Sequence, residues 1–179
     1  MSKFVDTLTT AIGWAMEGAS FEDVAKKLEE LDECHVKVWR EDDTVKLPIY
    51  SKECDACMDV YVHRIEYKYD GRVVYHTGLH FKLPDDYEMT IRPRSSNTKT
   101  TAVMQNAPGT LDAGYTGELL VVHRDMIDPT SSKSEYGIGD RCAQIMVRRR
   151  ECIIWDEVAT QEELGSTERG EGGFGSTGK

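Results

Sequence analysis

The sequence predicts an all-β domain of the barrel or jelly-roll kind, preceded by a helical hairpin and followed by a glycine-rich tail. From about Val36 onward, short runs of residues alternate in hydrophobicity with a period of two, the pattern of half-buried strands. Glycine and proline turn signals separate these runs, which favours a barrel or jelly roll over a parallel α/β sheet. We therefore divide the chain into a helical extension at 1–35, a β domain at 36–160 and a C-terminal arm at 161–179.

The N-terminal extension contains two segments with helical spacing. The second segment, SFEDVAKKLEEL, opens with Ser20 as the predicted N-cap and Asp23 three residues later, an acidic variant of the capping box. An apolar stripe stabilises a helix mainly when it is buried, so we expect this hairpin to pack on the β domain or on a protein partner. The first segment, FVDTLTTAIGWA, places these apolar residues on one face: Phe4, Leu8, Ile12 and Ala15.

The β domain is predicted from a series of strand-like runs and from the turns between them. Turn signals occur at YDGR, LPDDY, NAPG and YGIGD, where glycine, proline and aspartate favour tight backbone turns. After about Gln161 the regular pattern fades, and this segment has too few apolar residues to fold by itself. The strand-like runs are HVKVW, MDVYVHRIEY, RVVYHTGLHFKLP, EMTIRP, ELLVVHR and CAQIMVRR.

Composition excludes several classes of function. The net charge of −10 argues against non-specific binding of nucleic acid, and we interpret the local run Arg148–Arg150 as a solvated strand end. No window approaches the length of an apolar membrane span, and the N-terminus lacks the apolar region of a signal peptide. We expect no membrane partner and a cytoplasmic protein, in the host cytoplasm if the gene is viral.

The cysteines point to a reducing compartment. Their odd number, five, without a secretory signal favours reduced, buried thiols over a disulfide framework. The CDAC segment has the spacing of half a zinc site, but the sequence offers no second cysteine pair or paired histidines to complete it. The cysteines are Cys34, Cys54, Cys57, Cys142 and Cys152.

Two segments inside the β domain carry groups suited to nucleotide chemistry. In RPRSSN, the guanidinium of Arg94 stands beside two serine hydroxyls, a combination that suits phosphate oxygens, although a surface turn also explains it. In NAPGTLDAGYTGEL, Asp112 is a candidate general base for a water molecule, or a turn aspartate that caps its own loop. The ring of Tyr115, three residues later, could pack against a sugar or a base.

The glycine-rich tail is the third candidate segment. Arg169 supplies a positive charge, and the hydroxyls of Ser176 and Thr177 can donate to phosphate oxygens. Phe174 could stack on a flat ring. The segment is neither a P-loop nor a dinucleotide-binding turn, because the flanking strand and helix of those motifs are missing.

In order along the chain, these segments resemble the motifs of the trimeric dUTP pyrophosphatase (dUTPase) family. The counterparts are DACMDVYV, PRSS, NAPGTLDAGYTGEL, GDRCAQ and RGEGGFGSTG, and the resemblance covers roughly Lys46 to Lys179. It implies a jelly-roll-like β-barrel subunit of the dUTPase type with a flexible C-terminal arm. It also implies a homotrimer whose active sites are shared between chains, with the arm of one chain closing over a site formed by the others.

The resemblance further implies a reaction and residue roles. The reaction is hydrolysis of dUTP to dUMP and pyrophosphate with Mg²⁺, in which Asp112 activates the water that attacks the α-phosphorus. Asp59 would bind Mg²⁺ through its water shell, and Tyr115 would leave no room for a 2′-hydroxyl. The remaining expected substrate contacts are Arg94, Ser95, Ser96 and Gln144 on the phosphates, Asn106, Gly109, Thr110 and Leu111 on uracil, and Arg169, Phe174, Gly175, Ser176 and Thr177 from the arm.

The sequence departs from the family pattern in two motifs, and two alternative functions follow from other features. Ser96 stands where the family has glycine, and Cys57–Met58 replaces the middle of the first motif.

A dCTP deaminase-like or bifunctional enzyme shares the RSS segment, but Val122 occupies the place of the deaminase glutamate, and a hydrocarbon cannot transfer protons. A regulatory protein with this fold, acting through its N-terminal helices, is the other alternative.

Overall fold

The computed structural model describes residues 3–128, 130 and 134–172. The expected helical hairpin is present at the N-terminus, and strands begin at Lys37, close to the predicted change of period. The helices are α1 (Lys3–Met16) and α2 (Phe21–Asp32); the strands are β1 (Lys37–Arg40), β2 (Met58–Tyr61), β3 (Arg64–Tyr67), β4 (Arg72–Lys82), β5 (Tyr87–Arg92), β6 (Ala102–Met104), β7 (Gly109–Leu111), β8 (Glu118–Asp125) and β9 (Arg141–Arg149); 3-10 helices span Ser95–Lys99 and Gln161–Leu164.

The strands form two antiparallel sheets. One sheet has the order β1-β4-β8-β6, with β3 also paired to the long strand β4, and the other has the order β2-β9-β5-β7. Apart from β3 and β4, the paired strands are not consecutive in the chain, as in jelly-roll folds. Between Lys37 and Arg149 the described regular elements are strands and one short 3-10 helix, so the all-β prediction is confirmed. Closure of the sheets into a barrel stays a prediction.

The core lies between the two sheets. Along β4 and β8, residues with side chains toward the core alternate with outward-facing ones, most clearly from Leu79 to Lys82. Both sheets contribute to one apolar cluster, so the inner face of each sheet is buried only when the other sheet packs against it. The members of this cluster that are nearly inaccessible to solvent include Val60, Tyr75, Leu79, Met89, Ile91, Leu119, Val121, Cys142, Ala143 and Ile145.

Two parts of the sheet differ from the prediction. The run MDVYVHRIEY, expected as one strand, is divided at Val62 and His63, because the chain passes there from one sheet to the other. The Val62 N–H donates to the Asp140 carbonyl, whereas the His63 N–H donates to the His76 carbonyl. Strands β6 and β7 were not predicted, since each has only three residues and their sequences resemble the adjoining turns.

The helical hairpin has the predicted cap. The Ser20 hydroxyl accepts a hydrogen bond from the Asp23 N–H at 3.1 Å and donates to the Asp23 carboxylate at 2.7 Å. Helices α1 and α2 contact each other, while Leu8, Ile12 and Phe21 remain 50%, 53% and 88% exposed. In the described residues, neither helix has the length and apolar character needed to cross a bilayer.

The prediction of buried thiols holds for one cysteine and is wrong for three. Cys142 is fully buried, and burial raises the pKa of its thiol to about 12. Cys57 is half-buried, whereas Cys34, Cys54 and Cys152 are exposed because they lie in connecting or terminal segments outside the two-sheet core.

The segment from Asp125 to Ile138, expected as a surface loop, is exposed at Met126 to Asp128 and again at Ile138, whereas Ser134 to Tyr136 are half-buried. The rings of Tyr75, His123 and Tyr136 contact one another edge to face, with centroid distances of 5.4 to 5.5 Å. The Ser134 hydroxyl and the Glu135 N–H both donate to the Tyr75 hydroxyl at 3.1 Å. Residues 134–136 are therefore fixed to the core.

Candidate active site

A polar cleft of about 500 Å³ opens at the ends of β2, β5 and β9. It gathers two guanidinium groups, two carboxylates and several small polar groups, a composition suited to an anionic ligand with bound cations. Its lining residues are Ser51, Asp55, Ala56, Cys57, Asp59, Arg94, Ser95, Arg141 and Gln144.

Asp59 is the centre of the charge network in this cleft. The residue is only 9% exposed, and its carboxylate accepts hydrogen bonds from Arg94 Nε at 2.7 Å and from Arg141 Nη1 at 3.0 Å. The Ser51 hydroxyl is a third donor at 3.3 Å. Because each carboxylate oxygen faces a guanidinium, the network fixes both arginines at the cleft wall.

The segment after β5 holds Arg94 in place. Arg94 Nη1 donates to the Ser96 hydroxyl at 3.2 Å, so the serine that departs from the family pattern supports the arginine. The next residue, Asn97, accepts from the Tyr136 hydroxyl at 3.2 Å and donates to the Ala102 carbonyl at 3.1 Å. These contacts connect the short 3-10 helix that follows Arg94 to the core.

Gln144 lies between the two strands that carry the charged residues. It is opposite Asp59 in the β2–β9 pair and opposite Arg92 in the β5–β9 pair. Its side-chain Nε2 donates to the Pro93 carbonyl at 3.0 Å. Gln144 therefore fixes the backbone immediately before Arg94 and also lines the cleft.

The predicted uracil-binding segment contains the short strand β7, which pairs with β5. Gly109 is opposite Ile91, and a Cβ at position 109 would lie 2.6 Å from the Asn106 carbonyl oxygen and 2.7 Å from Ile91 Cγ2. Only glycine fits this close approach. The Asn106 side chain donates to the Leu120 carbonyl at 2.8 Å and accepts from the Val122 N–H at 3.0 Å, which binds the loop before β7 to β8.

The turn after β7 carries the predicted base and the predicted sugar-binding ring. Asp112 is exposed, and its carbonyl accepts from the Tyr115 N–H at 2.9 Å to close the turn. Tyr115 is 47% exposed, and its hydroxyl donates to the Glu118 carbonyl at 3.0 Å. A Cβ on Gly117 would lie 2.6 Å from Cζ of the tyrosine, so glycine is needed beneath this ring.

The structure brings the predicted residues together in two groups. Asp59, Arg94, Ser95 and Gln144 line the cleft, with Ser96 in contact with Arg94. The second group lies next to the cleft in strand β7, the loop before it and the turn after it, and in the described part of the chain none of its members lines the cleft. Its members are Asn106, Gly109, Thr110, Leu111, Asp112 and Tyr115. The two groups meet along β5, because Ile91 pairs with Gly109 and the next residue pairs with Gln144.

The predicted arm residues are only partly within the described chain. Arg169 is exposed, and its Nε donates to the Gly172 carbonyl at 2.9 Å within a local turn. The other predicted arm residues, Phe174, Gly175, Ser176 and Thr177, lie outside the described residues.

Sequence reasoning did not assign a site role to five residues of the cleft, which are Ser51, Asp55, Ala56, Cys57 and Arg141. Arg141 is part of the GDRCAQ motif, but its position against Asp59 depends on pairing between strands β2 and β9, which are distant in sequence. The available signal was its place between Asp140 and the buried Cys142, at the start of a strand. Ser51 has no comparable signal, since it lies in an irregular segment.

Comparison with known proteins identifies the family. The dUTPase family model matches residues 43–178. The chain is 42% identical over 150 residues to the deoxyuridine 5'-triphosphate nucleotidohydrolase of Fusobacterium nucleatum, covering 80% of this chain and 97% of that relative. The enzyme of the same name from Anaplasma marginale is 38% identical over 138 residues, covering 74% of this chain and 88% of that relative.

Solved structures agree on the fold. The dUTPase of Staphylococcus bacteriophage 80alpha, solved with dUpNHpp, superposes with a TM-score of 0.62 at 22% identity, covering 81% of this chain and 99% of that one. A variant dUTPase from phage phi11 of S. aureus, solved to describe coordination of a structural Mg(II) ion, has a TM-score of 0.56 at 18% identity, covering 72% and 99%. The chain therefore belongs to the dUTPase family of deoxyuridine 5'-triphosphate nucleotidohydrolases.

Proposed function

We propose that this chain hydrolyses dUTP to dUMP and pyrophosphate, with a water molecule activated by Asp112 attacking the α-phosphorus in line. The observation that carries this proposal is the polar cleft, in which Arg94 and Arg141 are held on Asp59. This cleft lies at the end of β5, the strand that pairs with β7, and Asp112 directly follows β7. One ligand with a triphosphate at one end and a base at the other suits this arrangement.

The cleft residues would bind the phosphate chain. Arg94 and Arg141 supply positive charge, and the hydroxyl and backbone N–H of Ser95 add donors at the cleft rim. Because Asp59 holds both guanidiniums before substrate arrives, the two arginine side chains lose little conformational entropy when the phosphates bind. Gln144 and Ser96 contribute by fixing the backbone and the side chain of Arg94.

The same residues fit a magnesium ion that arrives with the triphosphate. Both oxygens of Asp59 already accept from arginine, so a bond through water suits Asp59 better than direct coordination, in keeping with the tendency of Mg²⁺ to keep its waters. Within the described residues, no three His, Cys, Asp or Glu side chains are grouped to hold a metal by themselves. When bound, Mg²⁺ neutralises phosphate charge and orients the leaving group.

Asp112 is the proposed general base. Its carboxylate would take a proton from water as the water oxygen bonds to the α-phosphorus and the bond from that phosphorus to the α–β bridging oxygen breaks. The leaving group is pyrophosphate. The exposure of Asp112 on a turn supports this role, since a base must reach a water molecule and a substrate outside the protein core.

Strand β7 and the turn after it would select deoxyuridine. Asn106 fixes the loop before β7 through its bonds to β8, which supports presentation of the backbone at Gly109, Thr110 and Leu111 to the uracil edge. The ring of Tyr115, held by its hydroxyl bond to Glu118, would pack under deoxyribose and exclude a 2′-hydroxyl. Val122 stands in place of a proton-transferring residue, which disfavours deamination.

A homotrimer with shared active sites would complete the assembly. This follows from the family, and the separation of the cleft from the turn in the described part of one chain supports it. The C-terminal arm, with Arg169, Phe174, Gly175, Ser176 and Thr177, would close over the site of a neighbouring subunit. The exposed apolar residues of α1 and α2 support the prediction of a protein partner at the helical hairpin. Deletion of residues 1–35, which keeps strand β1, tests it through co-purification and trimer formation.

The substitution Asp112→Asn tests the base. Because Asp112 is exposed and the amide keeps its shape, the free energy of unfolding should not change, whereas kcat should fall by about two to four orders of magnitude. Asp43→Asn, at another exposed aspartate, is the matched control and should keep full activity. Wild-type turnover in the Asp112→Asn variant would show that another group activates the water.

A further inference from the structure

Two side chains on the outer face of β4 contact the turn after β7. His80 and Lys82 are two residues apart in the strand and so point to the same side, opposite the buried Leu79 and Phe81. His80 Nδ1 lies 3.0 Å from the Thr116 carbonyl oxygen. Lys82 Nζ donates to the Ala113 carbonyl at 3.0 Å and also lies 3.5 Å from an Asp85 carboxylate oxygen.

The turn that receives these bonds needs external support. Gly114 and Thr116 are exposed, and turns with exposed backbone open locally at low free-energy cost. The carbonyls of Ala113 and Thr116 lie on either side of Tyr115, and Ala113 directly follows Asp112. Bonds to both carbonyls therefore fix the backbone that carries the proposed base and the proposed sugar-binding ring.

His80 is itself held in a defined orientation. In the β1–β4 pair it is opposite Trp39, and the two rings are 4.7 Å apart at 49°. A backbone carbonyl can only accept, so Nδ1 of His80 carries the proton. The other ring nitrogen, Nε2, then faces the Glu41 carboxylate at 3.5 Å. These neighbours leave one ring orientation in which Nδ1 reaches the turn.

We propose that His80 and Lys82, here called the β4 clamp, are positioning residues for the turn that carries Asp112 and Tyr115. The clamp does not touch substrate; it sets the angle at which the carboxylate and the ring face the ligand. Its effect on turnover rests on the proposed function, whereas its effect on the turn does not. The clamp therefore acts on kcat and on rejection of a 2′-hydroxyl more than on capture of phosphate by the cleft.

The paired substitutions His80→Asn and His80→Gln separate positioning from general packing. The asparagine amide nitrogen can occupy roughly the place of Nδ1, whereas the glutamine amide nitrogen falls nearer that of Nε2. His80→Gln should lower kcat for dUTP by roughly 5- to 10-fold, the factor expected from one lost hydrogen bond, and reduce dUTP/UTP selectivity. His80→Asn should keep kcat and dUTP/UTP selectivity at the wild-type values. KM should change little in either variant.

Lys82 offers a second pair with the same logic. Lys82→Met keeps most of the aliphatic stem but removes the donor, and a similar fall in kcat is expected, whereas Lys82→Arg keeps a donor and should retain activity. Equal thermal unfolding temperatures within each pair would show that the difference does not come from global stability.

Hydrogen exchange of the backbone amides at 113–117 gives a readout independent of activity. Exchange should be faster in His80→Gln than in wild type and should return to the wild-type rate in His80→Asn. Equal exchange rates in the two variants, or equal kcat and selectivity, would overturn the clamp. If wild type releases no pyrophosphate from dUTP, the proposed reaction fails, and the exchange rates still decide whether the clamp exists.

Discussion

His123 provides a test of how the core responds to pH. It is 1% exposed on β8, and neither ring nitrogen has a hydrogen-bond partner in the described structure. The aromatic rings of Tyr75 and Tyr136 surround it. Burial disfavours the charged imidazolium and lowers the pKa of His123 from the ordinary 6.5 to about 4.

The direction and size of the effect follow from this shift. Because the folded-state pKa is below that of the unfolded chain, the unfolded chain binds the proton first as pH falls. The free energy of unfolding should therefore decrease from about pH 6.5 downward and level off below about pH 4. At about 1.36 kcal/mol per unit, the loss approaches roughly 3 kcal/mol at pH 4.

The substitution His123→Leu removes both nitrogens at similar volume. Urea unfolding between pH 7.5 and 4 should show the variant gaining about 3 kcal/mol relative to wild type over this range, since carboxylate titration is common to both proteins. The exposed His35 is the control, and His35→Gln should follow wild type. If the plots of unfolding free energy against pH were parallel for His123→Leu and wild type, the assignment of a neutral, unpaired buried imidazole would be refuted.

Three further substitutions or deletions test the site. Arg94→Gln removes one of the two guanidinium partners of the buried Asp59, which keeps Arg141, so the unfolding free energy should fall by about 2 kcal/mol in urea titrations. KM for dUTP should rise, and an unchanged KM would place Arg94 outside the phosphate site. Gly117→Ala should displace the Tyr115 ring and lower dUTP/UTP selectivity in steady-state assays, and unaltered selectivity would argue against sugar exclusion by this ring. Truncation after Gly165 should leave trimer formation and some dUTP binding intact while turnover falls steeply; full turnover would remove the arm from the mechanism.

The sequence predicted those features that depend on neighbouring residues. The Ser20 and Asp23 cap, the alternation along β4 and the turn at Gly71 all follow from local backbone preferences. Most of the strand runs were also found where the period of two predicts them. The three-residue strand β7 was missed because Gly109 weakens a strand pattern, and its pairing depends on close contact with Ile91.

Features that depend on distant pairing could not be predicted. The ion pair between Arg141 and Asp59 arises from the pairing of β2 with β9, in which Arg141 is opposite Tyr61, and the local sequence does not indicate this partner. Likewise, His80 and Lys82 gain their contacts only when the turn after β7 folds over β4. The motif resemblance, by contrast, indicated most cleft residues, because the family pattern already carries the result of this long-range pairing.

The central claim is that the chain hydrolyses dUTP at the α-phosphorus and rejects nucleotides that differ at the base or the sugar. The most direct measurement is pyrophosphate release from dUTP, dCTP, dTTP and UTP with Mg²⁺, with ammonia measured in the dCTP reaction. We predict pyrophosphate and dUMP from dUTP, little release from the other nucleotides and no ammonia. Comparable release from dCTP or UTP, or ammonia from dCTP, would contradict the account.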